Sequence, residues 1–152
     1  GILRPDARFD EAVPYIERIR TVSDPYLYEI YMGDVMLLKG RLQEALDCWH
    51  AAVMHHPQTW QVYFRRAGRL QKLGRFQEAL AAYEQCFMIQ KSPRLTDGLH
   101  AMAQLHEIIE DYTAAIHDRE RIIKCLQEEY NTFSGEGINS QLREIERLKL
   151  LL

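Results

Sequence analysis

Arg41-Leu42-Gln43-Glu44-Ala45-Leu46 is a phrase that the chain repeats. It returns as Arg75-Phe76-Gln77-Glu78-Ala79-Leu80, is anticipated by Arg8-Phe9-Asp10-Glu11-Ala12-Val13, and persists in eroded form as Asp111-Tyr112-Thr113-Ala114-Ala115-Ile116. Its alanine falls at 12, 45, 79 and 115, intervals of 33, 34 and 36 residues. A period near 34 marks an array whose units are too small to bury their own apolar faces and do so by stacking on their neighbours. The class of protein follows from that alone: a chain built by repetition, which works through an extended surface.

Outward from the phrase, each copy opens a helix, and the two central copies are preceded by another. Asp24-Pro25 reads as a cap and first-turn proline, starting a helix with Tyr28, Met32, Val35 and Met36 on one side. Lys39-Gly40 stops it with a left-handed glycine, and a second helix carries Leu42, Ala45, Leu46, Trp49, Ala52 and Val53 inward until Pro57. The spacing predicts an antiparallel helix pair over 25–57 and a near copy over 60–91, with Tyr63, Ala67 and Leu70 before Gly74 and Phe76, Ala79, Leu80, Tyr83, Cys86 and Phe87 after it. A third pair, 93–130, opens at Ser92-Pro93 and has no turn glycine at Glu110-Asp111. Two extra residues lie in its first helix or its turn, and the sequence leaves their place open.

The flanks complete the array. Residues 8–22, with Phe9, Ala12, Val13, Ile16 and Ile19 at helical spacing, form a helix without a partner before it, the second half of a repeat. Since the chain opens on Gly1 and not on methionine, an upstream half-repeat in a longer protein is expected. After the loop Asn131 to Gly137, a last helix over 139–152 places Leu142, Ile145, Leu148 and Leu152 on one stripe, suited to covering the open end of a stack. Leu150-Leu151-Leu152 is more apolar than one stripe requires. The expected architecture is one all-α domain of eight helices, a right-handed α-solenoid of antiparallel helix pairs with a C-terminal capping helix.

Composition narrows the chemistry. With 152 residues, 47% hydrophobic and 27% charged, the chain has the make-up of a soluble globular domain. A formal charge of −3 gives no field to hold a nucleic-acid backbone. No apolar run approaches the roughly 18 to 20 residues that span a bilayer. Cys48, Cys86 and Cys125 form no CxxC pair and read as small buried thiols in a reducing, cytoplasmic setting. No phosphate-cradling glycine loop, HExxH or GxSxG occurs. His55 and His56 stand at a helix C-terminus with His50 too far back to join them on one turn, so they read as solvated side chains. Carboxylate pairs such as Glu107 with Glu110 lie on helix surfaces without a nucleophile. No catalytic residues, metal or cofactor are expected, and no nucleic-acid or membrane partner.

These residues resemble the tetratricopeptide repeat family, whose pattern runs Trp, two residues, Leu-Gly, two residues, Tyr, then Ala, three residues, Phe, and a late proline. Met32-Gly33, Met36, Ala45, Trp49, Ala52 and Pro57 fill that frame in the first pair, and Tyr63, Ala67, Leu70, Ala79 and Tyr83 in the second. Departures are Arg66 where a leucine is expected and Arg119 at the aromatic position of the third pair; both are expected to bury the stem and keep the guanidinium wet or paired. The resemblance implies a non-enzymatic scaffold presenting a concave groove to a peptide or partner protein. The groove wall would be the first helix of each pair, here Leu27, Ile30, Asp34 and Leu37, then Phe64, Gln71 and Lys72, then Gln104 with Glu107 and His100 or a neighbour. Family members that hold the acidic C-terminus of a heat-shock chaperone use lysine and asparagine at the positions of Ile30 and Asp34, asparagine at Arg65, and lysine and arginine near Leu95 and Leu99. None is matched here, so an apolar or amphipathic segment is the expected ligand. Self-assembly, in its simplest form a homodimer, is the alternative, and an RNA-binding repeat ranks behind both.

Overall fold

The computed structural model describes residues 5–22 and 25–152, and among these every regular element is an α-helix. They are α1 (Pro5–Val22), α2 (Tyr26–Leu38), α3 (Leu42–His55), α4 (Trp60–Lys72), α5 (Phe76–Met88), α6 (Asp97–Ile108), α7 (Tyr112–Tyr130) and α8 (Glu136–Lys149). The cap expected at Asp24 lies outside the described residues; Pro25 directly precedes α2. The chain divides into two compact units, Gly1–Arg66 and Ala67–Leu152.

Three short turns share one construction. At the end of α2, Gly40 takes φ +78°, its N–H bonds to the Leu37 carbonyl and the Arg41 N–H to the Met36 carbonyl, both at 2.9 Å. After α4 the same pair runs from Gly74 to Gln71 and from Arg75 to Leu70, again at 2.9 Å, with Gly74 at φ +77°. After α6 the glycine is gone but the geometry stays: Glu110 itself adopts φ +63°, bonding to Glu107 at 3.0 Å, and Asp111 bonds to His106 at 2.7 Å. A left-handed residue at this point lets the chain reverse while its N–H groups satisfy carbonyls that the helix end would orphan. The third turn compensates on its far side, where Asp111 Oδ1 accepts the Ala114 N–H at 3.1 Å and caps α7; Arg41 and Arg75, at the same place, provide no side-chain cap.

The two extra residues lie in neither the third pair's first helix nor its turn. Four residues, 56–59, join α3 to α4, but eight, 89–96, join α5 to α6, while α6 is one residue shorter than α2 or α4. The helix expected to open at Ser92-Pro93 thus begins at Asp97, and Pro93 belongs to the connection. The connection is anchored at Arg94 by α7, which at 19 residues outlasts α3 and α5 at 14 and 13. From that added stretch Glu129 accepts the Ser92 hydroxyl and, at 3.3 Å, the Arg94 N–H, while the Tyr130 hydroxyl donates to the Arg94 carbonyl at 2.7 Å. The long loop and the long helix are one feature.

Each unit buries its own set. In the first, Trp49 is fully enclosed, with Ile30, Ala45 and Ala52 equally inaccessible. Its indole N–H is shared between the Ile30 carbonyl, 3.1 Å, and Asp34 Oδ1, 3.2 Å, so the polar edge of a large buried ring is not orphaned. Gly33 makes room for it: a Cβ there would stand 2.4 Å from Trp49 Nε1. In the second unit Leu99, Ala103, Leu105 and Ile122 are fully buried, and Gly98 brings α6 so close to α5 that a Cβ would lie 2.8 Å from the Tyr83 carbonyl oxygen.

The terminal helix docks on α7, but with a different face from the expected one. Ile145 and Leu148 bury against Ala115 and Ile116, flanked by Tyr112 and Ile123. The inner stripe is Ile138, Gln141, Ile145 and Leu148, and Leu142 is left 48% exposed. The reason sits opposite. Arg119 is 8% exposed, its Nη1 donating to Gln141 Oε1 at 3.1 Å, and a buried guanidinium requires an acceptor where a leucine would offer none. The helix also begins at Glu136, three residues before the expected start, which brings Ile138 into the stripe; Leu150, Leu151 and Leu152 are exposed.

Candidate functional site

The first helix of each pair supplies the residues expected to form a groove. On α2, Leu27, Ile30, Asp34 and Leu37 follow three- and four-residue steps and so share one side of the helix. Their environments differ. Leu27 and Leu37 are half-buried, but Ile30 is fully buried and presents nothing to a partner. It packs among core residues at the point where its carbonyl receives the Trp49 N–H, and the groove set is corrected by its removal. Asp34 is half-buried and is held from inside by the same indole. Phe64, on α4, is half-buried and meets Trp60 edge-to-face at 6.1 Å between ring centres. All five belong to the first unit.

In the second unit Gln71 is half-buried and accepts the Tyr83 hydroxyl at 3.0 Å, whereas Lys72 and Gln104 are exposed. Glu107 is committed to α8: both its oxygens meet Arg147, at 2.7 and 2.8 Å, and this bond holds its carboxyl below the usual range. His100 sits 3.4 Å from Arg119 Nη1, and burial, reinforced by that guanidinium, depresses its basicity. Arg119 Nε has no hydrogen-bond partner among the described residues. Nearby, His106 Nδ1 lies 2.5 Å from Asp118 Oδ2; burial raises the Asp118 carboxyl pKa and the His106 bond opposes the rise. The buried arginine is thus paired, as expected, but inside the α6–α8 layer and not in water.

Nothing in these groups is arranged for covalent chemistry. Burial pushes the Cys86 thiol up to about 12 and raises Cys48 and Cys125 as well, so none is a thiolate near neutrality. Among the described residues no three His, Cys, Asp or Glu side chains converge as a metal site, and no helix is long and apolar enough to cross a membrane. His55 contacts Glu29 and His56 meets the Tyr26 ring at 6.4 Å, each a local pairing where solvated rings are expected. The sequence reading missed a cleft of about 450 Å³ between α5 and α7. Its signal was the excess length at 89–96, which implies a feature at the α5–α6 connection without saying which side chains it would display.

No family model matches the chain, and no curated protein matches it in sequence. Solved structures do resemble it. A tetratricopeptide repeat protein from Parabacteroides merdae matches with a TM-score of 0.61 and 19% identity over 94% of this chain and 54% of that one, so the present chain spans about half that protein's length. The TPR2B domain of yeast Sti1, solved as a complex with pHsp70, gives 0.55 and 20% over 83% of this chain and 94% of that one. The first TPR of Spaghetti (RPAP3), solved bound to an HSP90 peptide, gives 0.54 and 21% over 82% and 93%. At such identities the likeness is one of fold: the chain is an all-helical structure of the tetratricopeptide-repeat type.

Proposed function

We propose that the chain is a non-catalytic interaction scaffold whose first-helix faces take an apolar or amphipathic peptide segment. The observation that carries this is the half-buried stripe of Leu27 and Leu37 on α2, with Phe64 on α4, in a fold whose solved neighbours include two bound to chaperone-derived ligands. Half-buried leucine and phenylalanine gain from being covered, at about 25 cal/mol for each Å² of apolar surface removed from water. The ligand class differs from that of those neighbours. With the extra residues placed before α6, the positions sought near Leu95 and Leu99 shift by two to Asp97 and Ala101, so neither supplies a cation and one supplies an anion. In the first unit the corresponding face carries Asp34 and apolar side chains and no matched cation, so an acidic peptide terminus would be poorly solvated there.

Panning a random peptide display library against the chain tests the reading. Enriched sequences with apolar residues at two or more spaced positions are expected, with capture lost in Leu37→Asp and Phe64→Ala. Ile30→Asp is no test, because a carboxylate at a fully buried position would unfold the unit. Enrichment of acidic C-terminal peptides, or capture indifferent to both substitutions, would refute the proposal. Self-association is a second reading, favoured by the 48% exposure of Leu142 and 64% exposure of Phe133. A concentration-independent monomer mass by static light scattering would dispose of it.

A further inference from the structure

The cleft between α5 and α7 belongs to the second unit, and no residue of α6 or α8 lines it, so it stands apart from the first-helix faces. Its floor is apolar: Phe87 and Cys125 are buried, and Met88, 52% exposed, forms one wall. Two guanidinium carbons lie 5.3 Å from the centre of the Phe87 ring, those of Arg94 and Arg121. They are not equivalent. Arg121 is neutralised by Glu84 through two parallel bonds of 2.8 and 2.9 Å. Arg94 forms no ion pair among the described residues; Glu129, which accepts the Ser92 hydroxyl and the Arg94 N–H, remains an anion on the cleft wall.

This cation is also pre-positioned. The Arg94 N–H is bound to Glu129, and its carbonyl accepts both the Tyr130 hydroxyl, 2.7 Å, and the Cys125 thiol, 3.7 Å. A side chain whose backbone is fixed at three points loses less freedom on engaging a ligand. A guanidinium so held offers parallel donors to a carboxylate or a phosphate. The rim decides between them. Lys124 adds a cation that reaches Glu128 only at 3.9 Å, but Glu120, Glu128 and Glu129 stand on the same rim, which penalises a dianion more than a monoanion. The lining runs along α7 from His117 to Glu129, roughly 18 Å of helix, which an extended segment of about five residues would span.

We infer that this cleft is a second peptide site, which takes an extended segment carrying an acidic side chain beside an apolar one. The carboxylate pairs with Arg94, supported by Lys124, and the neighbouring apolar side chain rests on Met88 and the Phe87 edge. The test is titration of the ¹⁵N-labelled chain with acetyl-Ala-Leu-Glu-Leu-Ala-amide, its glutamine analogue and its phosphoserine analogue, followed by NMR. The glutamate peptide should shift α5 and α7 resonances and bind at least tenfold more tightly than the other two. In Arg94→Gln the tenfold preference for glutamate over glutamine should fall below about threefold, the remainder being due to Lys124, while Phe64→Ala leaves the cleft's affinity unchanged and so separates this site from the proposed groove. Should Arg94→Gln fail to fold, Lys124→Glu, at a side chain 71% exposed, should weaken the glutamate peptide at least fivefold. Equal binding of glutamate and glutamine peptides to the parent, a preference of about threefold or more that survives Arg94→Gln, tighter binding of phosphoserine, or no shifts up to about 2 mM peptide would each overturn the inference.

Discussion

Replacing Gly33 by alanine sets a strong local preference against a close contact, and the two have opposite signs. In the middle of a helix alanine is favoured over glycine by about 1 kcal/mol. Here the added Cβ would lie 2.4 Å from Trp49 Nε1, 2.5 Å from its Cδ1 and 3.0 Å from the Ala45 carbonyl oxygen. Carbon contacts are comfortable at about 3.5–4.0 Å, so the fully enclosed indole must retreat by roughly 1 Å. Overpacking of that kind costs about 1–3 kcal/mol. The retreat also strips the indole N–H of the Ile30 carbonyl and Asp34, leaving a buried donor unpaired at about 1–3 kcal/mol. Net destabilisation of about 1–5 kcal/mol follows, or a fall in melting temperature of roughly 2–20 °C by circular dichroism. A variant that melts higher than the parent would refute the reasoning. So would a cycle with Trp49→Phe in which the alanine costs as much beside phenylalanine as beside tryptophan, since the penalty would then not reside in the indole contact.

The other predictions follow from single sites. Glu110→Gly should stabilise by about 0.5–1 kcal/mol, the difference between relieving a left-handed side chain and the added freedom of glycine in the unfolded chain; a lower urea midpoint would contradict it. Gln141→Leu should destabilise by about 2–4 kcal/mol because it strands the Arg119 guanidinium, whereas Gln141→Leu with Arg119→Leu should lie within about 1 kcal/mol of the parent or above it, both by denaturant melts. His100 is less basic folded than its ordinary 6.5, so below pH 6.5 the unfolded chain binds the extra proton and stability falls as pH falls; His100→Gln should flatten that slope, and an unchanged slope would exclude His100 as its source. Asp118 acts with the opposite sign at lower pH, since its raised carboxyl pKa gives the folded chain the extra proton above the ordinary 3.8.

Period and phrase made the helix pairs legible, because packing against a neighbour constrains the same positions in every unit. One regularity stands in the sequence for a reader who counts sixteen: Gly33 precedes Trp49, Ala67 precedes Tyr83 and Ala103 precedes Arg119 by that interval, and at Gly33 the small residue is what admits the large one. Two features of register were not legible. The place of the extra residues depended on α7 growing long enough to satisfy a loop, which concerns hydrogen bonds between segments 35 and more residues apart. The inner face of α8 depended on Arg119, since apolarity alone favours Leu142 over Gln141 and only a buried guanidinium reverses the preference. Ile30 was misplaced for a related reason: helical spacing identifies a side of α2, but its core-facing and outward-facing margins differ by less than one turn.

The pairing of Arg119 with Gln141 bears on how such arrays can be rearranged. Most repeat interfaces are apolar and interchangeable, so modules can be shuffled like bricks of one gauge. This joint is keyed. Any helix grafted onto α7 in place of α8 must bring an acceptor to the guanidinium, and α8 transplanted onto a repeat with tyrosine or tryptophan at that position would bury an amide against a ring. Chimaeras cut between α7 and α8 should therefore fail where those cut elsewhere succeed, unless the two residues travel together.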